Sequence, residues 1–509
     1  MNAYPTRMPQ LDALDWIVIA AYAALVLYVG IWAGRGHQSA DDLTLGKRNF
    51  SVWVVVLSMI GTELSAATFI SVPEFGYLRD WGYLQFAFGA LVGKCLIAYT
   101  FIPLYHRLGV VTVYGFIDQR FGPGARQGTA LCFVLGRLLA SGVRLFIAGL
   151  AFAVVTGLDL KLTIVICGVV VGIYTLTGGI RAVIWTDAVQ VGVLLTAALV
   201  TLYVVATRWD GGLAGVLDWA SANGKTRVFQ FPPMEPFFDN FIAKATPFWV
   251  ALIGGAALTL ATHATDHDMV QRLLTTRDGR RGGHALIASG LCTFPITLLF
   301  LLIGTALAAF YSQPANFNYD ISDHPRIFPI FAMHELPSGL RGLLFAGLFA
   351  VAMSSLSSAI CALATTIATD LVPKRIATAR GVAVIRYCSL GVTALLIGSA
   401  VLADYYYHNF KAKEFDVIEM ALFSISIFFG GLLGVFLLGI LTRDRGSSLS
   451  VNLALVGGAL IGVGLALQKP FFGEVLVAWP WWIVISATFA YGIAAATGTP
   501  ARARAGGKT

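Results

Sequence analysis

Gly61-Thr62-Glu63-Leu64-Ser65-Ala66-Ala67-Thr68-Phe69 lies in the middle of an apolar run that extends from residue 52 to 78. A run of that length is long enough to cross a bilayer as a helix. This one carries a glycine, a carboxylate and hydroxyl residues at its centre, and Pro73 and Gly76 follow. Small and hydroxyl residues let the backbone open and present carbonyl oxygens. Opened backbone in a bilayer has to be buried in protein or line a cavity. Close helix packing is the competing reading, since small residues let backbones approach. It leaves Glu63 unexplained, because a carboxylate at that depth is costly unless paired or wet.

A second run, 244–265, looks interrupted in the same way, with Gly254, Gly255 and the polar stretch Thr259–Asp268. A matched pair of Gly/Pro-interrupted membrane helices points to the binding site of a transporter.

The rest of the chain fits an all-α polytopic membrane protein. It is 57% hydrophobic and 12% charged, whereas soluble proteins keep about a quarter of their residues charged. Apolar runs predict about thirteen membrane helices, at 14–33, 52–78, 82–106, 126–156, 160–178, 185–207, 244–265, 284–311, 339–370, 382–404, 416–441, 449–467 and 477–497. They form a single transmembrane domain over 1–509. The net charge of +8 sits in short breaks between runs, which orients a membrane protein rather than gripping nucleic acid. Alternate loops carry Arg35/Lys47/Arg48, Arg107/Arg120/Arg126, Arg181, Arg272/Arg277/Arg280/Arg281, Lys374/Arg375/Arg380 and Arg443/Arg445, and the tail adds Arg502, Arg504 and Lys508. The expected topology in the cytoplasmic membrane therefore has the N-terminus outside and the C-terminus inside. Trp479, Trp481 and Trp482 look like an interfacial belt, and the first run is a retained helix rather than a signal peptide. The six cysteines are scattered in apolar segments and read as free thiols. No nucleotide-binding loop or nucleophile–base pairing is evident, and no catalytic residue is expected.

Three further groups of residues carry chemistry. Ser354, Ser355, Ser357 and Ser358 crowd one helix; such hydroxyls glue helices together, or ligate a hard cation. Asp187, after Gly178-Gly179, is either a helix N-terminal carboxylate or a charge awaiting a cation. Arg137 and Arg144 lie two turns apart on one face and should meet a cavity, a helix end or a carboxylate such as Glu63. Lys94 receives no role. His263 and Asp266-His267-Asp268 do not gather ligands for a transition metal on one helical face.

Together these segments resemble the sodium:solute symporter family over residues 15–440. The markers are Gly178-Gly179-Ile180-Arg181-Ala182-Val183-Ile184-Trp185-Thr186-Asp187-Ala188-Val189-Gln190, Ala346-Gly347-Leu348-Phe349 through Ser358, and Asp268-Met269-Val270-Gln271-Arg272. The resemblance implies the leucine-transporter fold, with inverted five-helix repeats over roughly 52–207 and 244–441 and peripheral helices 14–33, 449–467 and 477–497. It implies a sodium site at Gly61, Leu64, Val351, Ser354 and Ser355, formed by three carbonyls and two hydroxyls. A second site, found in some relatives, maps to Asp187, Ser354, Ser357 and Ser358. The solute neighbourhood maps to Glu63, Ser65, Thr68, Phe69, Gln85, Thr259, Thr262 and His263, with Arg137 and Arg144 flanking the position of an arginine that holds a carboxylate in sialic acid carriers.

The function expected is symport, with sodium as coupling ion, a small polar solute and the lipid bilayer as partners, and no organic cofactor. A proton-coupled carrier using Glu63 or Asp187, a membrane sensor and a channel are the rivals. The arginines favour an organic anion and Glu63 a hydroxylated or cationic solute; a sugar or amino acid also fits. Oligomeric state is left open.

Overall fold

The computed structural model describes residues 11–35, 39–233, 235–313, 327–373, 380–410 and 417–498. Lys374, Arg375 and the basic tail lie outside them. Among the described residues the chain is helical, with one isolated β-bridge between Arg445 and Gly498. We number the principal helices α1 (Ala13–Ala33), α2 (Val52–Glu63), α3 (Ala66–Leu78), α4 (Gln85–Tyr99), α5 (Pro123–Thr156), α6 (Leu160–Thr207), α7 (Phe248–Ala264), α8 (His267–Leu274), α9 (Gly279–Tyr311), α10 (Leu340–Thr366), α11 (Gly381–Phe410), α12 (Val417–Leu441), α13 (Ser448–Ala466) and α14 (Pro480–Ala495).

The polar run in the first interrupted segment does open the helix. Leu64 and Ser65 are extended, and the Ser65 hydroxyl accepts from Thr68 N to start α3. Pro73 lies within α3 and is not the break. The second interruption falls at Thr265 and Asp266, where α8 turns 65° away from α7 and Asp266 caps it. Gly254 and Gly255 are therefore not part of that break. They are packing positions: a Cβ on Gly254 would stand 2.2 Å from Pro480 Cβ, and one on Gly255 2.8 Å from Phe86 O. Small residues serve close approach here, as the competing reading of such runs allows.

Between the expected helices 160–178 and 185–207 the break narrows to a single residue: Gly179 (φ +51°, ψ −146°) kinks Leu160–Thr207 into two helices that meet at that point. Glycine is required there by the backbone angle and because a Cβ would meet Leu43 O at 2.5 Å. Among the described residues eight helices are long and apolar enough to cross a membrane, or ten if each of two bent pairs counts as one span. The expected thirteen is not reached by length and hydropathy. The long α6 counts once although the kink at Gly179 divides it into two arms of about 28 and 42 Å, each long enough for a bilayer core, and the apolar segments Ile427–Leu441 and Pro480–Ala495 are short.

Helix α10 is the centre of the bundle, with 94% of its apolar window buried, whereas α1 is peripheral at 28%. Outer faces carry exposed Leu25, Tyr28, Leu199, Tyr203, Leu402 and Leu460, as suits contact with acyl chains. Asp15 joins α1 to the start of α10. Its carboxylate, fully buried, accepts from Gly339 N at 2.7 Å and Gly342 N at 2.8 Å and pairs with Arg341 at 3.2 Å. A carboxylate at a helix N-terminus satisfies amides that otherwise lack partners.

Candidate functional site

Between the two broken helices lies a cavity of about 270 Å³. Of the expected solute residues, Glu63, Thr68, Arg137, Arg144, Thr259, Thr262 and His263 line it. Tyr83, Phe86, Phe429 and Trp479 add aromatic walls, and Phe86 stacks on Trp479 with ring centroids 4.9 Å apart. Three expected residues are elsewhere. Ser65 is spent on capping α3. Phe69 is buried against Phe300 and Phe328. Gln85 is buried and fully used, donating to Gly82 O and Thr246 O and accepting from Gln230 N, each at 3.0 Å.

Glu63 takes a different partner from the expected one. Lys94 Nζ on α4 donates to both its oxygens, at 2.8 and 2.7 Å, and His263 Nε2 stands 3.2 Å from Oε1. Ser289 and Thr293 complete the shell, each at 3.4 Å. Lys94, without a role in the sequence reading, is thus the counter-charge that lets Glu63 sit at the cavity wall. A lysine at the middle of one apolar span and a glutamate at the middle of its neighbour were the available signal.

Arg137 does not meet Glu63 either. It pairs with Asp266 at 2.9 Å and with Asp268. Arg144 Nη1, by contrast, is buried and has no hydrogen-bond partner among the described residues. Arg144 lines the cavity, so that one of its donors stands free at the cavity wall.

The serine helix faces the first break. Ser355 Oγ donates to Leu64 O at a long 3.4 Å. Gly61 lies beside Ser354, since a Cβ on it would stand 3.1 Å from Ser354 Oγ. Val351, one turn earlier on α10, is buried. Ser354 Oγ donates to Asp187 Oδ1 at 2.6 Å, and Ser58 Oγ donates to Oδ2 at 2.5 Å. Arg272 Nη2 also reaches Asp187, at 3.2 Å. Asp187 is fully buried about two turns past the bend at Gly179, so the N-terminal capping reading is ruled out. Ser357 Oγ donates to Ser354 O at 3.1 Å, while Ser358 Oγ donates to Ser355 O at 3.0 Å and Asp268 at 3.2 Å.

At the second break the freed carbonyls are taken. Tyr105 donates to Ala264 O at 2.7 Å and Tyr114 to Thr265 O at 3.2 Å, both from fully buried rings. Sequence reading had no access to these tyrosines, which come from distant segments.

The model of the sodium:solute symporter family matches residues 44–448. The chain is 28% identical to a sodium/sialic acid symporter of Aliivibrio fischeri, covering 87% of this chain and 85% of the relative. It is 27% identical to the human sodium-coupled monocarboxylate transporter 1, over 90% of this chain and 74% of that one. Among solved structures, the substrate-bound outward-open state of a sodium-coupled sialic acid symporter matches with a TM-score of 0.80 at 23% identity, covering 95% and 97% of the two chains. A nucleobase-cation-symport-1 family transporter, in a closed conformation, matches with a TM-score of 0.57 at 14% identity, covering 89% and 93%.

Proposed function

The chain belongs to the sodium:solute symporter family, and from that premise we propose that Leu64 O, Gly61 O, Val351 O and the hydroxyls of Ser354 and Ser355 hold its coupling sodium ion. As a multi-pass membrane transporter of leucine-transporter-like fold, it couples sodium movement to the transport of a small solute. The observation that carries the site is the approach of Ser355 Oγ to Leu64 O across two helices, at 3.4 Å. A hydroxyl and a carbonyl at that separation are held together only loosely, and both are hard oxygen ligands suited to an alkali cation. A second ion at Asp187, Ser354, Ser357 and Ser358 is part of the proposal. Each added ion contributes about 2.3 kcal/mol per 100 mV of membrane potential.

The solute, in this proposal, bears a carboxylate. Arg144 supports that reading, because its buried Nη1 has no hydrogen-bond partner among the described residues and an anion in the cavity would supply one. Glu63 is already neutralised by Lys94 and enclosed by His263, Ser289 and Thr293, so it adds no repulsive charge against an anionic solute. Proton coupling gains nothing from the site, since Glu63 and Asp187 each already carry a cationic partner. We further propose that helices within 52–207 and 244–441 form the inverted repeats, that the N-terminus is extracellular and the C-terminus cytoplasmic, and that the protein resides in the cytoplasmic membrane as a carrier, not an enzyme.

Uptake into proteoliposomes, with organic acids, sugars and amino acids as solutes and a sodium gradient as driving force, tests the reading. Accumulation should vanish when potassium replaces sodium. Equal uptake in the two salts would overturn it.

A further inference from the structure

We propose that Arg137 is a positioning residue that ties the solute cavity to the sodium-binding side of the molecule through the buried helix α8, making the cavity respond to sodium. The proposal rests on the symport reading above. Arg137 is a residue of the cavity wall whose side chain also grips α8, and Met269 of α8 itself lines the cavity. It lines the cavity and is 3% exposed. One amine holds Asp266, the cap of α8, at 2.9 Å, and the other holds Asp268 in the first turn.

From Asp268 the contacts run on without a gap. Its Oδ1 accepts from Arg272 Nη1 at 2.8 Å, and its Oδ2 accepts from Ser358 Oγ at 3.2 Å. Arg272 reaches Ser58 at 2.8 Å and Asp187 at 3.2 Å, and Asp187 accepts from Ser354 at 2.6 Å. Every residue of α8 is buried, as are Asp187, Ser354 and Ser358. Water therefore cannot stand in for a broken contact, and in a low-dielectric interior a displaced charge must carry its partners with it. One end of this chain opens on the cavity; the other is the Ser354 hydroxyl.

Charge balance gives the sign of the coupling. Asp187, Asp266 and Asp268 face Arg137 and Arg272, which leaves one negative charge, with Arg144 as a further cation at the cavity wall. An anion that occupies Arg144 returns that deficit to the buried set, and a sodium ion beside Asp187 removes it. Each ligand thus favours the other, and α8, gripped by Arg137, is the rigid body between them.

The test uses full-length purified protein with the native cysteines replaced, a Thr259→Cys reporter in the cavity, and an anionic sulfonate thiol reagent as probe. Sodium should raise the labelling rate over that in potassium by about fivefold or more, the lower end of ordinary coupling factors. In Arg137→Gln the sodium-induced rise in melting temperature should persist while the labelling ratio falls to one. Arg137→Lys should behave alike, because a point charge cannot bridge both aspartates; it serves if the glutamine variant does not fold. An unchanged ratio in a folded variant, or no sodium effect on labelling in the parent protein, overturns the proposal. Absence of any sodium-induced melting shift in the parent instead defeats the symport reading.

Discussion

The two breaks in this bundle free the same kind of backbone and treat it in opposite ways. At the second, the carbonyls of Ala264 and Thr265 are occupied by tyrosine hydroxyls, and the flanking Asp266 and Asp268 are locked to arginines. At the first, Leu64 O receives one long contact from Ser355, and no ion pair spans the unwound residues Leu64 and Ser65. An unsatisfied buried carbonyl is costly, so the underserved first opening is the one that the proposed sodium ion would satisfy. A break in a membrane helix is therefore not by itself an ion site. The availability of its carbonyls decides.

The sharpest way to break that contrast is to remove the hydroxyls facing the first opening. Ser354→Ala with Ser355→Ala should weaken sodium binding by about a hundredfold or more, two ligands at about 1.4 kcal/mol each, read as loss of sodium-driven uptake in proteoliposomes. Retained sodium dependence would mean that the first opening is merely slack.

Next in size is Lys94→Met, which leaves Glu63 charged beside the first break. Losing one partner of a buried pair costs about 3 kcal/mol, and the melting temperature should fall by several degrees; Glu63→Gln added to it should restore most of the loss. Arg144→Gln should spare sodium binding and weaken a carboxylate solute by about tenfold to a hundredfold, the range of a charge-assisted hydrogen bond, measured as an increase in KM for uptake.

The smallest effect is the most specific to the comparison. Tyr105→Phe frees Ala264 O at the second break and should cost about 1–2 kcal/mol of stability, with uptake still driven by sodium and half-saturation unchanged. A second sodium-dependent melting shift in this variant would show that any vacated carbonyl recruits the ion, and would erase the distinction between the openings.

What could be read in the residues follows the same division. The first break was legible because hydroxyls and a carboxylate, Thr62 to Thr68, have no reason to interrupt an apolar run unless the backbone opens. The paired serines 354 and 355 were legible for a similar reason. Gly254 and Gly255 misled, since glycine signals both opening and close packing, and only the neighbour, here Pro480 or Phe86, tells which. Partner choice was hidden as well. Glu63 meets Lys94 rather than Arg137 because the rotation of α4 and α5 about their axes decides which charge faces it, and apolar periodicity is weak in helices wetted by lipid on one side and protein on the other. Gln85 resembled a solute ligand for want of knowing that Gln230 and Thr246 would come to it.

The join between Asp15 and the start of α10 has a consequence for how the chain is made. The carboxylate belongs to a helix that is made early relative to its amide partners, Gly339 and Gly342, which lie more than 320 residues later. Through most of synthesis α1 must wait at the bilayer with that charge unmet except for its capping bond from Asp12. Its final seat is completed only when the central helix arrives, so a chain cut anywhere before residue 339 would hold α1 by its packing on α6, where Trp32 meets Trp185, but leave the Asp15 carboxylate without its amides.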